Sequence, residues 1–171
     1  MENVPIPDRL KGFSLYKGML VHFTVFVGDD GLPDFKVVHE ANRLKCMREK
    51  LCAICGQPLE NPMVFIGGER SIKSSVFLDG PMHEECALYS TKVCPYLKIE
   101  TWAHTSREPR HKDQPGIIFK TYDLVPISRP RMGLYYTDGY EVVDMQGGLY
   151  YHAAMPFYVT WDTMPQPQEA E

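Results

Sequence analysis

The sequence predicts an α+β protein, and three observations carry that prediction. Two stretches, 40–51 and 80–95, place apolar residues at helical spacing. The last third holds a series of β-prone runs divided by Asp138-Gly139 and Gly147-Gly148, both strong turn signals. Gly (13) and Pro (14) are together more frequent than the usual roughly 12%, which favours short strands and turns over a helical bundle. Hydrophobic residues at 44% and charged residues at 23% of 171 suit an ordinary core and exclude a compositionally disordered chain. A net charge of -4 argues against coating nucleic acid by bulk charge.

The elements follow in order. Residues 1–18 read as an irregular arm, without the basic and apolar regions of a secretory signal. Met19–Val27 alternates, with Val21, Phe23, Val25 and Val27 on one face, and predicts a strand. It is too short and too polar to cross a bilayer, which takes about 20 apolar residues, so no membrane association is expected. Gly28–Pro33 is a turn, and Phe35–Val38 completes a hairpin. In the helix at 40–51, Ala41, Leu44, Met47 and Leu51 form the apolar stripe, with Arg43, Lys45, Arg48 and Lys50 opposite.

Met63–Ile66 and Ser75–Leu78 predict a second hairpin around Gly67-Gly68-Glu69-Arg70. Gly80-Pro81 opens a helix with Met82, Cys86, Tyr89 and Val93 inward, and Pro95 stops it. Residues 98–115 read as a polar loop. Strands are expected at 117–125, 134–136, 140–145, 149–152 and 157–161, with a flexible tail at 162–171. The whole is expected to pack as one domain, with a β-rich part at about 116–161.

Four of the five cysteines fall between Cys52 and Cys94. Cys52-Ala-Ile-Cys55-Gly56 has the spacing that lets a tight turn present two sulfurs to one ion, followed by a glycine for the permissive backbone. His83 and Cys86, at i and i+3, can converge on the same point. Knuckle, hairpin and helix in that order predict a treble-clef-like module at about 40–97. It would hold one structural zinc on Cys52, Cys55, His83 and Cys86. Cys94 lies eight residues past Cys86, about 12 Å along a continuous helix, too far to share that ion. Cys46 and Cys94 are expected to be buried or half-buried thiols. An odd, clustered cysteine set reads as reduced thiols and metal ligands, which predicts a cytoplasmic protein.

Three segments carry a resemblance. The strand ending Gly-Leu-Pro-Asp-Phe within Met19–Phe35, the stretch Leu51–Leu59 (Leu-Cys-Ala-Ile-Cys-Gly-Gln-Pro-Leu), and Pro81–Leu97 with its Cys94-Pro95 are similar in order and spacing to a family of small uncharacterised proteins of bacteria and their phages. The resemblance covers roughly residues 19–97. It implies the same four ligands and, for a phage protein, the host cytoplasm, but no activity.

Treble clefs also carry nucleases of the HNH type, which need a base histidine on the strand before the helix. Segment 72–80 has no imidazole, so that chemistry is not expected. The expected function is a non-enzymatic interaction module for a macromolecule, most readily a protein. Binding residues are sought on the basic helix face (Arg43, Lys45, Arg48, Lys50) and among late aromatics (Tyr150, Tyr151, Trp161). The alternatives are a hydrolase or nucleic-acid-processing enzyme using His104, His111 or His152, and direct DNA or RNA binding through the basic helix.

Overall fold

The computed structural model describes residues 4–94, 97, 117–119 and 132–161. The expected loop at 98–115 with His104 and His111, the end of the strand expected at 117–125, and the tail at 162–171 lie outside them.

A 3₁₀ turn at Asp8–Leu10 leads into β1 (Leu15–Tyr16) and β2 (Met19–Leu20). β3 (Val25–Val27), β4 (Pro33–His39) and α1 (Glu40–Glu49) follow. Then come β5 (Met63–Gly68), α2 (Glu69–Ser74), β6 (Val76–Phe77), β7 (Met82–His83) and α3 (Glu84–Val93). After β8 (Ile117–Phe119) the chain ends in β9 (Met132–Thr137), β10 (Tyr140–Met145), β11 (Gly148–Ala153) and β12 (Tyr158–Thr160). Among the described residues every strand pairing is antiparallel, in sheets ordered β1-β2, β3-β4-β8, β10-β11-β6 and β12-β9-β5-β7. The architecture is therefore α+β with antiparallel sheets and few helices.

The central sheet is covered on both faces. Val64, Leu134 and Tyr136 enter one core with Cys52, Cys55, Cys86 and Met82. Their neighbours Phe65 and Tyr135 enter a second core with Met47, Phe77 and Tyr151. Side chains alternate along a strand, so only a sheet buried on both sides can absorb consecutive bulky residues. That is why the adjacent Tyr135 and Tyr136 are both buried, paired with Phe65 and Val64 respectively.

Several sequence expectations are corrected. The arm at 1–18 is not irregular throughout. Lys17 and Gly18 both take positive φ (50° and 78°), the pattern of a two-residue hairpin turn, and Leu10 is buried. The strand expected over 19–27 breaks at 21–24, where Phe23 N–H donates to Ile54 O (2.9 Å) and Val25 N–H to His22 O (3.0 Å). The hairpin with β4 survives through Val25, Phe26 and Val27.

The hairpin expected between 63–66 and 75–78 does not form. Gly68 caps a short helix instead of turning, and Phe77 and Val76 of β6 pair with Tyr151 and His152 of β11. The partner of β5 on that side is β7, through Met63↔His83 and Val64↔Met82.

The stripe on α1 is rotated. Ala41 is exposed and Leu44 half-buried, while Arg43, Cys46 and Met47 face inward. Arg43 can be buried because its guanidinium donates to the carbonyls of Leu78 (3.2 Å) and Leu149. His39 caps the helix by accepting from Asn42 N–H, and Lys50 (φ 53°) turns the chain left-handed into the cysteine knuckle.

Candidate metal centre

Two segments hold the knuckle's peptide groups. Ala53 N–H donates to Pro81 O (3.0 Å), Thr24 Oγ1 donates to Ala53 O (3.0 Å), and Phe23 N–H reaches Ile54 O. The turn closes on itself through Gly56 N–H to Cys52 O (2.9 Å) and Cys52 N–H to Gln57 O (2.8 Å). Gly56 is required twice over. Its φ is 68°, and a Cβ there would stand 2.8 Å from the Phe23 ring.

The other two groups come from the β7–α3 junction. His83 ends β7 and, in extended conformation, is the N-cap of α3; Cys86 lies in the helix's first turn. The i, i+3 relation holds, with the imidazole delivered from a strand end rather than from inside the helix. Because β7 is fixed to β5 at Met63↔His83, the sheet sets the height of the ring. His83 Nε2 donates to the Pro58 carbonyl (2.9 Å), which leaves Nδ1 turned to Cys55 Sγ at 3.4 Å.

Cys52, Cys55, His83 and Cys86 are all buried, and their ligand atoms lie within 4.8 Å of one another. Sulfurs on a tetrahedral ion with bonds near 2.3 Å stand about 3.8 Å apart, so small side-chain adjustments would bring the set onto one ion. The cluster could therefore hold a single metal. Contacts with the Cys55 and Cys86 side chains hold the Cys52 thiol well below the usual range, whereas contacts with Cys52 and Cys55 push the Cys86 thiol up.

Cys46 is not part of the ligand set but supports it. It is fully buried and its S–H points to Cys52 O (3.9 Å). Burial, with Cys52 and Cys55 nearby, pushes its thiol up to about 12. Cys94 is the half-buried C-cap of α3 and lies outside the cluster. Sequence reasoning missed Arg9. Its guanidinium donates to Glu85 Oε1, to Gln57 Oε1 (3.2 Å) and to Glu60 Oε2 (2.9 Å), groups up to 76 residues away that no local pattern could have linked to it.

The expected binding residues separate. Lys45, Arg48 and Lys50 are exposed, whereas Arg43 is buried, bonded to the Leu78 and Leu149 carbonyls, and is unavailable to a partner. Tyr151 is likewise interior, its hydroxyl 3.4 Å from Arg43 O and its ring against Phe65 and Tyr140. Tyr150 and Trp161 are half-buried, and Trp161 packs on the second core. Larger exposed apolar groups lie at Met155 (86%), Phe157 (60%) and Tyr158 (49%). Among the described residues no helix is long and apolar enough to cross a membrane. Comparisons with protein-family models, with characterised proteins and with solved structures return no match to this chain.

Proposed function

We propose that this protein is a non-enzymatic interaction module stabilised by one structural zinc, held by Cys52, Cys55, His83 and Cys86 in a treble-clef-like arrangement. The observation that carries this reading is the enclosure of the four ligands: three thiols and an imidazole, all buried, all within one ion's reach. Three sulfurs and one nitrogen in tetrahedral array are the donors of structural zinc, and a closed set leaves no position for substrate. The β5–β7 pairing followed by α3 supports the treble-clef-like reading, with α2 and β6 as an excursion between the strands. Reduced thiols suit a reducing compartment such as the cytoplasm, of a host cell if the resemblance to phage proteins is followed.

The partner is a protein, bound through Met155, Phe157 and Tyr158 with the edges of Tyr150 and Trp161, because exposed aromatic and Met side chains mark interfaces. The experiment joins metal analysis to affinity capture with and without nuclease. One zinc per chain, and a protein captured through nuclease treatment but lost with Phe157→Ala, support the reading. Capture abolished by nuclease and by changing Lys45, Arg48 and Lys50 would replace it with nucleic-acid binding.

A hydrolase is the second reading, favoured by a cleft of about 580 Å³ lined in part by Ser75, Tyr135, Glu141 and His152. Ser75 Oγ there donates to Tyr135 Oη (2.8 Å), whose own proton goes to Ala154 O (2.9 Å). Turnover of model ester or phosphodiester substrates, lost with His152→Ala, would establish it.

A further inference from the structure

We propose that residues 4–13 form a strap over the metal centre, latched by Arg9, and that opening of this strap sets how fast the metal exchanges. The proposal rests on the metal reading above. Leu10, 1% exposed, belongs to the same core as Cys52, Cys55 and Cys86, and Val4 and Phe13 pack against that core. Cys52 and Cys86 are themselves 0% exposed. A chelator can therefore reach the sulfurs only after some covering element has moved.

The strap is the covering element that costs least to move. The knuckle is held by hydrogen bonds to two other segments, 23–24 and Pro81, and His83 by sheet pairing. The backbone bonds at 7–13, by contrast, run within the strap: Leu10 N–H to Pro7 O, Lys11 N–H to Asp8 O, and Phe13 N–H to Leu10 O. Side chains fasten it. The latch spans both halves of the site, since Gln57 and Glu60 follow Cys55 while Glu85 immediately precedes Cys86. Its ion pairs are partly solvated, with Glu60 68% and Glu85 45% exposed, so each contributes little and is weakened by salt. Such contacts give a segment that opens locally, well short of global unfolding.

The test is the rate at which the zinc-loaded full chain surrenders metal to excess 4-(2-pyridylazo)resorcinol. Arg9→Ala should release zinc about 2- to 30-fold faster, the range that two surface ion pairs allow. Leu10→Ala should accelerate release as well. Raising NaCl should speed release from the wild type and leave Arg9→Ala unchanged, which general destabilisation would not produce. Glu85→Gln tests the same latch from the helix side should Arg9→Ala fold poorly, and Arg9→Lys, keeping one charge pair, should recover part of the retention. A wild-type chain that takes up no zinc overturns the metal reading, and the strap with it. A zinc-loaded chain whose release rate or salt dependence is unchanged by Arg9→Ala overturns the strap alone.

Discussion

His83 Nε2 donates to the Pro58 carbonyl at 2.9 Å, and this bond decides which ring nitrogen faces the sulfurs. Pro58 follows the knuckle and is bridged to Leu51, so the knuckle orients the imidazole supplied by the other half of the site. The expected outcome in zinc-loaded protein is an Nε2–H tautomer with metal on Nδ1. Long-range ¹⁵N–¹H correlation of the ring reads this directly, and metal on Nε2 would contradict the geometry.

Metal content follows from the cluster. Purified protein should hold one zinc per chain, and Cys55→Ser should lose it and unfold or aggregate, since structural zinc can contribute on the order of 10 kcal/mol to folding. Cys94→Ser should keep its zinc, because that thiol lies outside the cluster. Mass-spectrometric metal analysis with thermal melts checks both.

Gly56→Ala should cost about 2 kcal/mol or more. A Cβ would be forced into a left-handed backbone and against the Phe23 ring at 2.8 Å. Adding Phe23→Leu should return part of the loss, and a double-mutant cycle in urea measures the coupling.

Arg43 and Arg48 sit on one helix and should behave oppositely. Arg43→Ala removes a buried side chain and strips the part-buried Leu78 and Leu149 carbonyls of their donor, at a cost of about 1–3 kcal/mol. Arg48→Ala, on the exposed face, should change stability by less than about 0.5 kcal/mol. Equal effects would mean that the interior guanidinium has been misassigned.

Alkaline unfolding should be tied to tyrosine ionisation. Tyr140 donates to Cys46 O (3.2 Å) and Met47 O (3.1 Å), and burial pushes its hydroxyl up to about 12; burial pushes Tyr151 up as well. A folded-state pKa above the unfolded value of roughly 10 stabilises the fold below that pH and loses the contribution as pH rises through it. For Tyr140 the loss falls between roughly pH 10 and 12. Phenolate absorbance should therefore rise together with loss of circular dichroism, and Tyr140→Phe should flatten the stability profile in that window.

What the sequence disclosed and what it withheld have physical reasons. The cluster of Cys52, Cys55, His83 and Cys86 was legible because metal coordination restricts spacing and residue type at once. α1, α3 and the β10–β11 hairpin were legible because periodicity and Gly-containing turns are local signals. β6 was placed but given the wrong partner, because His152 is 76 positions beyond Val76, and α2, with Ile72 as its single buried residue, shows no apolar stripe. Arg43 misled because charge alone does not report whether carbonyls from distant segments await it. The same blindness to distance hid Arg9.

The pairing of β5 with β9 has a consequence for the chain as it is made. All four ligands and β7 have been synthesised by residue 86, but the strand that fills the other edge of β5 is complete only at Thr137. At 5–20 residues per second, roughly 3 to 10 s separate the two events. During that interval the apolar Met63–Ile66 edge is open to any passing strand, a known route to misassociation. Zinc captured early would hold β7 against Met63 and Val64 through His83, and so leave the nascent β5 with one open edge instead of two. The ion would then act first as a guardian of the nascent chain, and only later as a strut of the finished one.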